Sequence, residues 1–162
     1  MSERPEFAEF VAARSPALLR TARLLTGDWA AAEDLLQDTL AACWRRWSRI
    51  EGNPEPYVHR VLVTTYLARR RRFWNRERPT GELPELPVDD LADQVALQGQ
   101  VEAALRTLTP RQRAVIVLRY YEDLTEAETA RVLGISVGTV KSQTSKALAR
   151  LRVDASLTAE VS

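Results

Sequence analysis

The stretch Thr125-Glu126-Ala127-Glu128-Thr129-Ala130-Arg131-Val132-Leu133-Gly134-Ile135-Ser136-Val137-Gly138-Thr139-Val140-Lys141-Ser142 decides the fold. Thr125 and Glu128 have the spacing of a capping box, in which a hydroxyl and a carboxylate each take an orphan amide of a helix's first turn. The helix that follows is expected to carry Ala127, Ala130 and Leu133 inward and to stop at Gly134, which lacks the Cβ that penalises a left-handed turn. Ser136 then offers a new start at once, after which Val137, Val140, Thr144, Ala147, Leu148 and Leu151 recur on one face. Two helices joined by a Gly-containing turn of three or four residues are the ingredients of a helix-turn-helix.

The same punctuation extends towards the N-terminus. Thr109-Pro110-Arg111-Gln112 is another helix start, with Pro at the first helical position. From Ala32, the residues Leu35, Leu36, Leu40, Cys43, Trp44 and Trp47 draw an apolar stripe along a helix of about 18 residues. Before it, Phe7, Phe10, Val11, Leu18, Ala22 and Leu25 predict one helix interrupted near Ser15-Pro16, or two in series. After it, Asn53-Pro54-Glu55-Pro56 opens a helix with Tyr57, Val61, Leu62 and Tyr66 on one side. No strand is required, so the fold class is all-α.

Between these helical stretches, Pro79, Pro84 and Pro87 lie among Gly81, Glu82, Glu85, Asp89 and Asp90, a composition that disfavours a helix and offers little to bury. The chain therefore divides into a first domain at 1–76, an acidic Pro-containing linker at 77–97, a second domain at 98–153 and a tail at 154–162.

Composition narrows the function. Cys43 has no partner for an internal disulfide, and with His59 as the one histidine a zinc site would need a carboxylate-rich ligand set, so neither metal nor cofactor is expected. Gly is scarce, and neither a phosphate loop nor a nucleophile elbow appears, which disfavours an enzyme. No apolar run reaches membrane-spanning length, and the two acids in the first six residues do not suit a secretory leader, so the cytoplasm is the expected compartment.

The net charge of +1 conceals a pattern. Residues 60–78 hold seven Arg against Glu77 alone, residues 79–100 hold five acids and no Lys or Arg, and residues 136–152 hold four basic residues and no acid. Two basic segments separated by an acidic one point to a polyanionic partner.

On the helix that begins at Ser136, the face opposite the apolar stripe is centred on Gly138, Ser142, Ser145, Lys146 and Ala149, flanked by Thr139 and Lys141. Small side chains let a backbone approach base edges, and Lys, Ser and Gln143 can donate to phosphates or bases. A helical hairpin with a solvated face is the plainer alternative. In the first domain, Arg69-Arg70-Arg71-Arg72 runs into Phe73, Trp74 and Arg76, joining phosphate-binding forks to rings on which bases can stack; a solvated helix end is again the alternative. The long helix sets Asp34, Asp38, Ala41 and Arg45 opposite its stripe, with Gln37 at one edge, a face suited to a protein partner or simply to water.

Taken together, these residues resemble the bacterial sigma-70 family. Ala32-Glu33-Asp34-Leu35-Leu36-Gln37-Asp38-Thr39-Leu40 followed by Trp44 is similar to its core-polymerase-binding helix, and 107–152 is similar to its promoter-reading helix-turn-helix. With two domains and no central one, the layout is that of the extracytoplasmic-function, or group IV, members. Tyr57-Val58-His59-Arg60-Val61-Leu62-Val63 and Arg70-Arg71-Arg72-Phe73-Trp74 resemble the SigE-like subfamily. The resemblance implies that Asp34, Gln37 and Asp38 meet RNA polymerase core. Arg69, Arg70, Arg71, Arg72 and Trp74, with the loop at 48–56, would melt and read the minus-10 promoter element, and Thr139, Lys141, Ser142, Gln143, Ser145 and Lys146 the minus-35 element. The linker would thread towards the active-site and RNA-exit channels of polymerase.

Promoter DNA and polymerase core are the implied partners, with an anti-sigma factor left open. Thr64 and Gln143 depart from the Asn and Arg common at those places, so the minus-35 sequence does not follow from relatives. Two other readings remain: an independent helix-turn-helix regulator with a sensor or dimerisation domain, and a helical adaptor with no role on DNA.

Overall fold

The computed structural model describes residues 5–76 and 99–161, with side chains over 6–73 and 99–152. The stretch read as a linker lies outside the described residues. The elements run α1 (Pro5–Thr26), α2 (Trp29–Arg46), a 3-10 turn (Trp47–Arg49), α3 (Glu55–Arg76), α4 (Gly99–Arg106), α5 (Pro110–Ile116) continued by a π-helical turn (Val117–Tyr121), α6 (Glu126–Leu133) and α7 (Val137–Val161). No strand occurs among the described residues. The chain packs as two compact units, Met1–Tyr66 and Leu67–Ser162.

α1 is one helix that runs through Pro16, without the expected interruption. Proline removes the bond to the carbonyl four residues back. Pro16 and Ala12 are both exposed, so water can serve the Ala12 carbonyl, while Leu18, Thr21, Ala22 and Leu25 beyond it are buried. Gly27, at φ 78°, closes the helix and sends its amide to the Arg23 carbonyl at 2.8 Å. Asp28 caps α2 by accepting from the Ala31 amide at 3.0 Å, which starts the helix at Trp29, three residues before the apolar pattern begins.

The core of the first unit joins Leu18, Ala22 and Leu25 of α1, Ala32, Leu35, Leu36, Thr39 and Cys43 of α2, and Val58, Leu62, Val63 and Tyr66 of α3. Each fully buried Leu contributes about 1.5–3 kcal/mol of transfer free energy. Thr39 is tolerated there because its hydroxyl donates to the Leu35 carbonyl at 2.7 Å. Two expected core faces are rotated. α3 buries Val58, His59, Leu62, Val63 and Tyr66 and leaves Tyr57 and Val61 half-buried. In α2, Trp44 is 39% exposed and Thr39 takes the inward position. Trp47 does pack, with Phe7 edge-on at 5.1 Å and Phe10 at 5.3 Å.

In the second unit, both capping boxes form. Thr109 and Gln112 exchange side-chain and amide bonds at 3.2 Å, and Thr125 and Glu128 do so at 3.0 and 3.1 Å. Hydrogen bonds from the Thr125 amide and hydroxyl hold the Glu128 carboxyl below the usual carboxylate range. α6 buries Thr129, Ala130 and Val132, with Leu133 half-buried; Ala127 is exposed, contrary to expectation. Ala127 belongs to the first turn, ahead of the positions that meet the cluster of Val115, Ala130 and Val140, against which Leu133 and Ile135 pack. α7 continues to Val161 across the expected tail, in a sequence with neither Gly nor Pro after Gly138.

Candidate nucleic-acid interface

The turn between α6 and α7 spans three residues and is held at both ends. Gly134 adopts φ 67°, and its amide and that of Ile135 both reach the Ala130 carbonyl. Ser136 then starts α7, its hydroxyl accepting from the Thr139 amide at 3.0 Å and lying 2.8 Å from the Thr139 hydroxyl. Val140 and Ala147 anchor α7 in the core, while Val137 is 39% exposed rather than inward, since Ile135 already fills that end of the cluster.

This anchoring fixes what α7 presents to solvent. Gly138, Lys141, Ser142, Ser145, Lys146 and Ala149 are all exposed. Thr139 and Gln143 are half-buried, and the Thr139 hydroxyl is engaged by Ser136. The face therefore has small residues along its middle and a Lys on either side, Lys141 and Lys146, about 140° apart at 100° per residue. A helix with side chains is about 10–12 Å across, close to the width of the B-DNA major groove.

In the first unit, Asp34, Gln37 and Asp38 are exposed on α2, with Ala41 and Arg45 alongside. The structure adds residues that the apolar pattern had assigned to the core. Leu40 is half-buried and Trp44 exposed, and they follow Gln37 by three and seven residues, so they share its face. Trp29 is exposed at the start of the same helix, with the Arg23 guanidinium 5.0 Å from its ring centroid. The face is thus polar on one side and aromatic on the other. A Trp seven residues after an exposed Gln was the available signal.

The segment between α2 and α3 is shaped by the 3-10 turn, by Gly52 at φ 72°, and by the Asn53 side chain, which accepts from the Glu55 amide at 3.1 Å. Beside it opens a cavity of about 600 Å³, floored by Phe10 and Trp47 and edged by Glu6, Glu9, Ser48 and Ile50. Arg14 of α1 pairs with Glu55, whose other oxygen lies 2.8 Å from His59 Nε2, so the start of α3 is tied to α1. Desolvation raises the Glu55 carboxyl, but hydrogen bonds from Arg14 and His59 outweigh it and hold the group below the ordinary range.

Further along α3, Arg69 and Arg70 are half-buried while Arg71, Arg72 and Phe73 are exposed. Four consecutive helical residues span about 300°, so this run cannot present all its forks to one surface. The Trp74 side chain lies outside the described ones. Thr64 is exposed, with its hydroxyl turned back onto the Arg60 carbonyl at 2.7 Å. Cys43 is buried and its thiol is pushed up to about 11 by desolvation, which keeps it protonated and unreactive. No group of three or more His, Cys, Asp or Glu among the described residues is arranged to hold a metal. No described helix is long and apolar enough to cross a membrane.

Comparison with known proteins matches both halves of the chain. Sigma-70 region 2 covers residues 10–76, and sigma-70, region 4 covers residues 98–151. The RNA polymerase sigma-E factor of Streptomyces coelicolor is 44% identical over 158 residues, spanning 94% of this chain and 87% of the relative. The ECF RNA polymerase sigma factor SigM of Mycobacterium tuberculosis is 36% identical over 137 residues, 83% of this chain and 69% of the relative. Among solved structures, the sigma factor RpoE in complex with the anti-sigma factor NepR from Bartonella quintana superposes with a TM-score of 0.71 at 25% identity, covering 92% of this chain and 96% of that one. CnrH in complex with the cytosolic domain of CnrY gives 0.69 at 23% identity over 96% and 91% of the two chains, a likeness of fold.

Proposed function

The chain belongs to the extracytoplasmic-function group of the sigma-70 family, and from that membership we propose that it binds RNA polymerase core, directs it to specific promoters and helps to open them. It is a transcription initiation factor that performs no bond chemistry of its own. Its work is differential binding, in which phosphate contacts supply affinity, the recognition helix supplies register, and captured unstacked bases favour the open state.

The observation that carries this reading is the exposed face of α7, free of acids from Ser136 to Arg152 and set by two rigid caps. Thr139, Lys141, Ser142, Gln143, Ser145 and Lys146 would meet the minus-35 duplex within a domain at 98–153. In a domain at 1–76, Asp34, Gln37 and Asp38 would meet the core, joined by Leu40 and Trp44. Arg69, Arg70, Arg71, Arg72 and Trp74 would act at the minus-10 element, with the cavity beside Trp47 available to an unstacked base. The acidic segment at 77–97 would connect the two. A factor that works on chromosomal promoters acts in the cytoplasm. The complex of the similar RpoE with the anti-sigma factor NepR supports an anti-sigma factor as a further partner.

The test is a gel shift on promoter fragments, chosen by mapping the transcripts that core and this protein make from fragmented genomic DNA. Specific retention only with core supports the assignment. Specific retention of a palindrome without core would instead support an independent regulator, and no retention in either case a helical adaptor.

A further inference from the structure

Lysine is nearly absent from this chain, and its placement is uneven. Lys141 and Lys146 are the two lysines beside 21 arginines, and both are exposed on α7, on the face proposed to read the minus-35 element. The difference between the two cations is chemical, because a guanidinium stays protonated and unreactive whereas a lysine amine, once it has lost a proton, is a nucleophile that acyl donors can cap. Every side-chain amine open to acylation therefore lies on one helix. Acylation there would exchange a positive charge for a neutral amide.

The two lysines have different surroundings. At the end of α5 the chain widens into a π-helical turn, with the Glu122 amide reaching the Val117 carbonyl at 3.0 Å. Such insertions recur at functional sites. The turn buries Val117 and Leu118, and the next residues, Arg119 and Tyr120, line an open groove of about 320 Å³ with Lys141, Ser145 and Arg152 of α7 and Glu126 of α6. Arg119 is fixed there, since one terminal nitrogen donates to the Leu124 carbonyl at 2.6 Å and the guanidinium carbon lies 5.7 Å from the Tyr120 ring centroid. Two guanidinium groups against one carboxylate favour an anion in the groove, and the fork of an Arg matches a phosphate in particular. Lys146 lies about 140° around α7 from Lys141 and is not among the residues that line the groove.

A lysine amine that lines a groove suited to phosphate is what an acyl phosphate needs, with its phosphoryl end held and its carbonyl carbon beside a nucleophile. We propose that Lys141 is a site of Nε-acylation by small acyl phosphates, seated by Arg119 and Arg152, and that this modification lowers promoter affinity. The step starts from the neutral amine, the ammonium proton having gone to solvent. The nitrogen lone pair attacks the acyl carbon, a C–N bond forms as the C–O bond to phosphorus-bound oxygen breaks, and phosphate departs with the bonding pair. The surplus proton on nitrogen passes to that phosphate, leaving an amide and hydrogen phosphate. The effect on promoters rests on the minus-35 reading proposed for α7; the acylation itself does not.

In the test, the full chain is treated with acetyl phosphate, and the peptides bearing Lys141 and Lys146 are followed by mass spectrometry. Lys141 should be acetylated about tenfold faster than Lys146, the advantage of a bound and oriented donor. Its rate should saturate with acetyl phosphate and be inhibited by inorganic phosphate, whereas that of Lys146 should rise linearly and ignore phosphate. Arg152→Gln, at an exposed position, should bring Lys141 down to the rate of Lys146. Equal rates in the wild type, or a Lys141 rate untouched by Arg152→Gln, would overturn the proposed site and leave the minus-35 reading as it stands. Holoenzyme assembled from core and the acetylated chain, freed of reagent, should hold a mapped promoter more weakly, with a slope of log K against log salt shallower by about 0.9, the share of one phosphate contact. Lys141→Arg, compared with itself before and after the same treatment, should lose nothing further. Selective acetylation of Lys141 with promoter affinity unchanged, in the treated wild type and in Lys141→Gln alike, would remove Lys141 from the minus-35 contact and the regulatory effect with it.

Discussion

The Arg113 guanidinium is buried, and its Nε donates to the Leu105 carbonyl, eight residues earlier, at 2.8 Å. One terminal nitrogen also reaches the Leu108 and Arg106 carbonyls at 3.3 and 3.4 Å, so one side chain serves the carbonyl end of α4 and joins it to α5. Cations at helix C-termini are favourable, and hydrogen bonds to charged groups are worth about 1.5–3 kcal/mol. Arg113→Met keeps the apolar stem and removes every donor. Local stability of the second unit should fall by about 2–3 kcal/mol, read as faster hydrogen exchange at α5 and α7 amides with α1 and α2 unchanged. Unaltered exchange at α5 would show that these bonds carry no stability.

Arg113 also marks where sequence reading ends. Thr109, Thr125, Gly134 and Ser136 were legible because a cap is decided by chemistry within four residues, and each forms as expected. Inward faces were less so. Which side of a helix is buried depends on its rotation against neighbours, and the pull of large residues misplaced the face of α3 towards Tyr57 and Val61 and the stripe of α2 towards Trp44. At the candidate site, the exposed sides of α2 and α7 followed from residue type. The groove at Arg119 did not, because a π-helical turn leaves no periodic signal in five residues.

The Glu55 ion pairs give the first unit a pH dependence of known sign. The folded carboxyl titrates below its ordinary value of 4.5, so the stability it contributes is complete above that value and is lost as the pH falls through the lower, folded one. Glu55→Gln keeps the shape and removes the charge that holds Arg14 and His59. The thermal midpoint of wild type should exceed that of the variant at pH 5, and the gap should close as the pH is lowered towards 3. A gap of constant size across that range would exclude the carboxylate as its source.

At the basic end of α3, Arg70 is half-buried with its Nε lacking a partner among the described residues, while Arg71 projects into solvent. Replacing both with Ala removes two guanidinium forks of the kind that can bind phosphates, without touching the buried face at Val58, Leu62 and Tyr66. Holoenzyme should assemble normally but open promoters less, seen as reduced permanganate reactivity of unpaired thymines. Wild-type reactivity would reduce this run to a solvated helix end.

The outer face of α2 is the surface proposed to meet polymerase core. Asp34 and Asp38 stand one turn apart on the exposed side, away from Leu35, Thr39 and Cys43, which hold the helix in the core. Substitutions at such surface positions change stability by about 0.5 kcal/mol or less. Both carboxylates also engage other groups of the chain, so Asp34→Asn with Asp38→Asn serves as the reference in which those internal interactions are already removed. Relative to that neutral pair, Asp34→Lys with Asp38→Lys should keep the circular dichroism spectrum and thermal midpoint. It should abolish co-purification with polymerase core, because positive charges would replace the negative ones through which the proposed interface attracts its partner. Trp44→Ala, which removes an exposed ring from the adjoining stripe and leaves the charges in place, should weaken the same interaction by a faster off-rate with little change in its salt dependence. If the folded Lys pair bound core with wild-type affinity, Asp34 and Asp38 would have no part in the interface.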